Sequence, residues 1–278
     1  MDYPDYISNE ASSPIEKLTS DINISNDDET HRSITIDSNN TYKMDGGKNY
    51  ALIINNQNFE NDKIHERQGS DRDASAIKKA LESLHFDVSD HKNLSVKEME
   101  EKFEHLSKMN YENYNCFVCV ILTHGGDDNV IHGTDGKVKL GSLMQMLLPD
   151  RCQSLMGKPK LFFVQAALFP EDKPDCPGKG IQNSEKLPLW ADVLLAYSTI
   201  PGFYSWENST IGSWFIQSLA HILEKDGDRL ELQRLMLSVN RRVAYEYEKY
   251  TKKKKKTGKW KQVPCILNML TKKLKFHK

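Results

Sequence analysis

Two continuous apolar runs, each followed by polar or small residues, stand out in the hydrophobic pattern of the chain. The first occupies residues 115–122 and the second residues 161–164. Runs rich in β-branched and aromatic residues are typical of strands buried on both faces of a parallel sheet. The carboxyl ends of parallel strands meet at one edge of the sheet, where open α/β sheets bind their ligands. The pattern therefore predicts that His124, after the first run, lies close to Gln165, after the second.

The rest of the hydrophobic pattern predicts strands and helices in alternation. Ser70 and Asp73 form a Ser-x-x-Asp start for the first helix. This alternation is typical of an α/β protein, here a three-layer sandwich with a central, mostly parallel sheet of about six strands and helices on both faces. The predicted strands are 49–55, 86–89, 115–124, 158–167, 191–198 and 263–270, with a small hairpin at 130–138, and the predicted helices are 71–84, 95–108, 140–148, 214–225 and 229–247.

Composition narrows the class of protein. The sequence has 38% hydrophobic residues but no apolar run near the roughly eighteen residues of a transmembrane span, and its acidic start lacks the apolar core of a signal peptide. Five cysteines without a framework spacing suit a reducing compartment, so we expect a cytoplasmic protein. Cys116 and Cys119 form a Cys-x-x-Cys pair inside a buried run, which favours core thiols over a redox or metal pair. No metal or other cofactor is expected.

Two motifs around the buried runs carry a family resemblance. The segment from Phe117 to Gly125 (FVCVILTHG), followed by the segment from Lys160 to Ala166 (KLFFVQA), resembles the two core motifs of the caspases. The family signature is Gln-Ala-Cys-[Arg/Gln/Gly]-Gly, with a histidine about fifty residues upstream. The resemblance spans about residues 45–278 and is to the executioner type, which has a short propeptide.

The resemblance implies a single caspase domain made of consecutive parts. Residues 1–47 are rich in Ser, Asn and Asp and are expected to be a disordered, propeptide-like segment. Residues 48–167 correspond to the large-subunit-like (p20) region. Residues 168–186, which contain prolines and glycines, correspond to an intersubunit linker. Residues 187–278 correspond to the small-subunit-like (p10) region, which packs with the p20 region.

The chain departs from the family at the position of the nucleophile. By resemblance, His124 matches the catalytic histidine, and Gly125 with the Ala167 backbone matches the amides of the oxyanion hole. Ala167 stands where the family has its cysteine, and Leu168 and Phe169 also differ from the signature. The chemistry needs a thiolate because only a strong nucleophile attacks a peptide carbonyl near neutral pH. Alanine has no heteroatom, so His124, Gly125 and Ala167 are expected to be vestigial for hydrolysis.

The pocket for the substrate aspartate also departs from the family pattern, independently of the nucleophile position. By resemblance, two arginines and a glutamine bind that carboxylate; Arg67 and Gln165 match two of them, and Glu207 occupies the place of the other arginine. Arginine binds a carboxylate bidentately, whereas glutamate reverses the sign of the charge. Three aromatic residues match the walls of neighbouring subsites, which predicts a groove for a protein or peptide, although aromatics also suit a core. The predicted substrate-binding residues are Arg67, Gln165, Tyr204, Ser205, Trp206, Glu207, Asn208 and Trp214.

Segments outside the pocket indicate partners and processing. The strand of residues 263–270 (Val263 to Leu270) resembles the family strand that pairs with its symmetry mate, so we expect a homodimer or a heterodimer with active caspases. The lysine run of residues 252–256 (Lys252 to Lys256) is either a patch for nuclear import or an acidic partner, or a solvated hairpin loop. Neither a nucleic acid nor a membrane is expected as a partner. Asp37 and Asp175 are candidate cleavage sites, with ordinary linker aspartates as the alternative.

The departures together favour a catalytically inactive caspase homologue, a pseudocaspase. It would regulate apoptotic caspase proteolysis by dimerising with active caspases or by binding their substrates. The alternative is an active cysteine-type endopeptidase of aspartate-directed or shifted specificity, which would need a nucleophile that the sequence does not offer. An engineered Cys→Ala replacement would account for Ala167 but not for Glu207 or for the altered pair after the nucleophile position.

Overall fold

The computed structural model describes residues 40–126, 129–168, 190–199, 207–208, 210–247, 249–253, 256–260 and 262–277. Its strands are β1 (Lys48–Asn55), β2 (Phe86–Lys92), β3 (Tyr114–Gly125), β4 (Val130–His132), β5 (Lys137–Lys139), β6 (Lys160–Leu168), β7 (Val193–Tyr197), β8 (Glu207–Asn208), β9 (Gly212–Ser213), β10 (Lys249–Lys253), β11 (Lys256–Trp260) and β12 (Cys265–Asn268). Its α-helices are α1 (Ser70–Glu82), α2 (Val96–Ser107), α3 (Leu140–Gln145), α4 (Trp214–Asp226) and α5 (Leu232–Glu246).

A single central sheet organises the described chain. Six strands follow one another in the order β12-β7-β6-β3-β1-β2, and the hairpin of β4 and β5 joins the sheet beside β3. All neighbours along this path are parallel except β12, which runs antiparallel to β7. Both sheet faces are covered by helices, so the predicted three-layer α/β class is confirmed. The last strand is shorter than predicted, since it spans only Cys265–Asn268.

The two hydrophobic cores lie on opposite faces of this sheet. One core packs the sheet against α1, α4 and α5, and the other packs it against α2 and α3. Cys116 belongs to the first core and Cys119 to the second, because residues three apart on a strand point to opposite faces. Both thiols are completely buried, and burial raises the pKa of each well above its usual range. The pair is therefore two separate core thiols.

The start of α1 differs from the expected Ser-x-x-Asp arrangement. Gly69 is the N-cap residue and no side chain caps the helix, because Ser70 already lies in its first turn. Asp73 instead accepts hydrogen bonds from Ser213 and Gln217, which are distant in sequence. A capping box does occur one helix later, where Ser95 and Glu98 satisfy each other's backbone amides at the start of α2.

The packed part of the chain begins before residue 48. Tyr42 and Met44 are buried in the core, and the Tyr42 backbone amide donates to the Lys273 carbonyl, while the Lys273 amide donates to the Asn40 carbonyl. Residues 40–47 therefore pack onto the domain although the sequence placed them in a disordered segment. Their isolated aromatic and apolar side chains lack the periodicity that marks a strand or helix. The remainder of that predicted segment, 1–39, lies outside the described residues.

Candidate functional site

The carboxyl ends of β3 and β6 meet at one edge of the sheet. The two strands are parallel, and their register places Leu122 beside Gln165 and His124 beside Ala167. The pairing continues for one more residue, because β6 extends to Leu168, a position that the sequence assigned to the linker. The predicted proximity of the histidine to the Gln-Ala-Ala segment is thus present in the backbone of the sheet.

His124 is held in one orientation at this edge. The side chain is buried, and its Nε2 lies 2.8 Å from the carbonyl oxygen of His65. A carbonyl can only accept, so Nε2 donates this hydrogen bond and carries a proton. The ring of Phe59 packs against the imidazole with centroids 4.9 Å apart. The histidine is therefore positioned by the loop that follows β1.

Within the described residues, no cysteine lies at the carboxyl end of β3 or β6, and the nearest thiol of this edge, Cys265, pairs with Tyr197 at the carboxyl end of β7, so that β7 separates it from β6. Ala167 is a strand residue beside His124. Of the described cysteines, Cys116 and Cys119 lie inside β3 with raised pKa values. Cys152 is also buried, and its burial raises the pKa of the thiol. Cys265 lies in the edge strand β12, and Cys176 lies outside the described residues.

Two of the predicted specificity residues are buried beneath the same edge. The side chain of Gln165 has no exposed surface, and that of Arg67 is 2% exposed. Nη1 of Arg67 lies 3.4 Å from the carbonyl oxygen of Asn56, and the Arg67 backbone amide donates to the Gln57 carbonyl. These contacts fix the arginine in the loop between β1 and α1.

Asp73 is a buried carboxylate that the sequence reasoning did not assign to the site. It accepts hydrogen bonds from the Ser213 backbone amide at 2.9 and 3.1 Å and from Nε2 of Gln217 at 2.8 Å. Burial raises its pKa to about 6, while these hydrogen bonds and the positive charge of Arg67 act in the opposite direction. The helical spacing of the sequence indicates this burial, because Asp73 lies four residues before the core residue Ile77 on the same helix face.

Glu207 lies on a short ribbon that Asp73 anchors. β8 pairs with β9, which places Glu207 opposite Ser213 and Asn208 opposite Gly212. Gly212 has a φ of +87°, and a Cβ at that position would lie 2.3 Å from Oδ1 of Asp73. Glycine is therefore required where the ribbon approaches the carboxylate. The ribbon with Glu207 is thus tied to α1, which follows the loop of Arg67.

Trp214 occupies the core side of this region. It is buried within the first hydrophobic core, and its ring stacks on Tyr247 with centroids 5.5 Å apart. This burial agrees with the alternative role of Trp214 as a core aromatic. Its role as a wall of a substrate groove stays a prediction. The other predicted groove residues Tyr204, Ser205 and Trp206 and the cleavage candidates Asp37 and Asp175 lie outside the described residues.

Two further structural findings concern cofactors and membranes. No group of three or more His, Cys, Asp or Glu side chains within the described residues is arranged to hold a metal ion. None of the helices in the described ranges combines the length and apolar character of a membrane span.

Comparisons with known proteins agree with the fold and identify the family. A family model described as the caspase domain matches residues 48–275. Caspase-3 of Bos taurus is 41% identical over 256 residues, covering 88% of this chain and 92% of the relative. Caspase-3 of Mus musculus is 40% identical over 262 residues, covering 89% and 92%. Caspase-7 of Gallus gallus is 38% identical over 253 residues, covering 87% and 80%. On these matches, the chain belongs to the caspase family.

Proposed function

We propose that this chain is a catalytically inactive caspase homologue that regulates the proteolysis carried out by active relatives. The observation that carries the proposal is the register of β3 and β6, which pairs His124 with Ala167. A histidine acts in covalent catalysis by managing the proton of a neighbouring nucleophile. An alanine beside it offers no proton and no lone pair. Removing one member of such a unit commonly removes most of the rate, because the unit acts as a whole.

A second feature supports loss of the aspartate pocket. Glu207 stands at the position that holds an arginine in the motif, and it lies on the ribbon anchored by Asp73. A negative charge about 4 Å from a substrate carboxylate is unfavourable by about 1 kcal/mol in water, where an arginine would be favourable by a similar amount. Replacing attraction by repulsion therefore costs at least about 2 kcal/mol, and more when the groups are desolvated. The pocket therefore disfavours binding of a substrate aspartate even if a nucleophile is supplied.

Regulation by pairing is the mechanism that we favour. β12 is the edge strand of the central sheet, and Leu267 on it is 47% exposed. Family members typically form dimers, and an apolar strand at a sheet edge favours pairing with another chain. A homodimer or a heterodimer with an active caspase would cover β12 across a two-fold axis. The p20-like and p10-like division at residues 168–186 and a cytoplasmic location are part of the same proposal.

The experiment that tests the proposal titrates the protein into an active executioner caspase and follows cleavage of an acidic tetrapeptide. One series contains the protein without the active enzyme. We expect no turnover in that series and a dose-dependent change of rate in the mixture, whose direction distinguishes an inhibitor from an activator. Turnover in the protein alone would contradict the proposal, and so would a mixed rate that stays constant at every dose.

A cysteine supplied at residue 167 tests the two departures separately. We expect Ala167→Cys alone to give little acidic-peptide cleavage, because Glu207 still opposes the substrate carboxylate. Adding Glu207→Arg should raise kcat/KM by about 30-fold or more, which corresponds to the electrostatic difference of at least about 2 kcal/mol. Glu207→Arg alone is the matched control and should stay inactive. Equal kcat/KM values for the single cysteine variant and the double variant would show that Glu207 does not oppose the substrate.

A further inference from the structure

The outer side of α5 carries an exposed apolar pair that the fold does not use. The two most exposed large apolar side chains among the described residues both lie on this helix, Tyr245 at 74% and Leu237 at 70%. The inner side of α5 already packs into the core through five buried residues, Leu232, Leu235, Met236, Val239 and Val243. A single exposed leucine is ordinary on a protein surface, but two large apolar residues on one side of a helix are typical of a contact with another molecule.

Two arginines share this side of the helix with the apolar pair. Arg234, Leu237, Arg241 and Tyr245 follow one another at intervals of three or four residues, which aligns them along about 17 Å of the helix. All four side chains are exposed, and we call the four residues the α5 stripe. Basic and apolar side chains alternate along the stripe, so a molecule that covers it meets both kinds.

The positive charge of the α5 stripe is not neutralised by the acidic residues around it. Within the part of the chain that the structure describes, neither Arg234 nor Arg241 forms an ion pair. Every acidic residue of α4 and α5 is already paired with a basic side chain, in the pairs Glu224–Lys79, Asp226–Arg229 and Glu246–Arg242. A guanidinium group binds carboxylates bidentately. The stripe therefore presents two positions for carboxylates with the apolar Leu237 between them.

We propose that the α5 stripe binds an acidic amphipathic helix of a partner protein. Arg234 and Arg241 are seven residues apart, which corresponds to about 10 Å along the helix axis. A second helix repeats one face at the same interval, so its carboxylates can meet both arginines while its apolar residues meet Leu237 and Tyr245. An extended strand covers this distance in about three residues, and residues three apart on a strand point to opposite faces. The spacing therefore favours a helical partner over an extended peptide.

A lipid surface fits the α5 stripe less well than a protein helix does. Helices that lie in a membrane interface bury a broad apolar face in it, whereas the broad apolar face of α5 is already buried in the core. The inference goes beyond the proposed pairing through β12, because α5 belongs to a helical layer and β12 to the edge of the sheet. It does not depend on the loss of catalysis.

The test measures binding of a designed helix to the full chain by fluorescence anisotropy. The probe is a fluorescein-labelled peptide in which leucine and glutamate alternate from turn to turn along one face, with alanine and glutamine elsewhere. A hydrocarbon cross-link on the opposite face keeps this short peptide helical. We expect saturable binding that becomes about 10-fold weaker, or weaker still, in the Leu237→Gln, Tyr245→Gln variant, because burial of apolar surface is lost.

The contribution of charge is measured with a second variant and a second probe. Arg234→Gln with Arg241→Gln should weaken binding about 2- to 30-fold, the effect of losing two exposed ion pairs. A probe with glutamine in place of every glutamate should lose a similar factor with the unmodified protein. Equal binding of the acidic and the uncharged probe would overturn the proposal, and so would the absence of saturable binding of the acidic probe.

The matched control removes the same kinds of side chain elsewhere. Arg72→Gln, Arg151→Gln and Met156→Gln change exposed residues outside α5, and the variant that combines them should bind the probe as the unmodified protein does. All variants should keep the melting temperature, because substitutions of exposed residues change stability little. Equal weakening in the control and in the stripe variants would overturn the proposal, since the probe would then adhere without a defined site.

Two other occupants of the α5 stripe are outcomes of the same series. A dimer mass in light scattering that falls to the monomer in the Leu237→Gln, Tyr245→Gln variant would assign the stripe to a second copy of this chain and overturn the proposal. Sedimentation with phosphatidylserine vesicles that is lost in the same variant would assign it to a membrane, with the same consequence. Neither readout involves peptide cleavage, so a failure here is distinguishable from turnover in the activity test of the proposed function.

Discussion

Replacement of Tyr42 by alanine is expected to lower the free energy of unfolding by about 3–5 kcal/mol, the usual cost of truncating a buried aromatic residue. The ring is 4% exposed. Its hydroxyl donates to Oδ1 of Asp192 at 2.6 Å and accepts from the Thr271 backbone amide at 3.0 Å. Burial, followed by the hydrogen bond to Asp192, raises the pKa of Tyr42 to about 12, so the hydroxyl keeps its proton. Alanine would remove the packed ring and one donor to the carboxylate of Asp192, which is itself buried.

Because of the position of Tyr42, we expect this loss of stability to affect the whole domain. Thr41 forms a parallel bridge with Lys273, so the first described residues are joined to the last ones. Asp192 lies after the proposed linker, at the start of the p10-like region. The Tyr42 contacts therefore connect the segment just before the proposed p20-like region to both ends of the proposed p10-like region. Cleavage at the candidate Asp37 would leave this connection in the chain, because Asp37 precedes it.

The measurement is denaturant unfolding of the Tyr42→Ala variant beside two others. Tyr42→Phe keeps the ring and removes only the hydroxyl, with an expected loss of about 1.5–3 kcal/mol for a hydrogen bond to a charged group. Tyr245→Ala truncates a tyrosine that is 74% exposed and should change stability by less than about 0.5 kcal/mol. If Tyr42→Ala is no more destabilised than Tyr245→Ala, the Tyr42 contacts contribute nothing to the free energy of unfolding.

The elements that the sequence predicts well are those with long local patterns. The runs around β3 and β6 are apolar on both faces, so they could only be buried central strands. Their parallel register, with His124 beside Ala167, follows from two strands that end at the same sheet edge. The buried face of α2, formed by Met99, Phe103 and Leu106, was likewise present in the periodicity.

The features that the sequence does not predict depend on contacts between distant residues. Tyr42 meets Asp192 across 150 positions of the chain, and Asp73 meets Ser213 across 140. A short-range rule assigned Asp73 to the helix start, but the carboxylate is instead bound by α4 and β9. The roles of Arg67 and Gln165 rest on the family resemblance, because burial alone does not distinguish a specificity residue from a structural one.

The raised pKa of Asp73 predicts a pH-dependent contribution to stability, and its sign follows from linkage. The folded protein holds the Asp73 proton with a pKa of about 6, against 3.8 for the ordinary carboxyl. The stabilising contribution is therefore complete below about pH 3.8 and is lost as the pH rises through about 6. The difference between the two pKa values corresponds to about 3 kcal/mol. The groups facing the carboxylate are Arg67 from the loop before α1, Ser213 from β9 and Gln217 from α4.

Asp73→Asn should remove this pH dependence, and the diagnostic quantity is the difference in free energy of unfolding between the two proteins. Between pH 4 and pH 7 we expect the unmodified protein to lose about 2 kcal/mol relative to the variant, because part of the full difference lies below pH 4. An arginine side chain is protonated throughout this range. The loss of the carboxylate beside Arg67 therefore changes the free energy of unfolding of the variant by the same amount at every pH. Asp71→Asn is the matched control, because Asp71 lies on the same helix but is exposed, and its partners are Lys92 of β2 and Nδ2 of Asn55 of β1. If the difference for Asp73→Asn is the same at every pH, Asp73 does not titrate between pH 4 and pH 7. Asp73 would then accept the hydrogen bonds that anchor the Glu207 ribbon as a carboxylate that stays charged throughout this pH range.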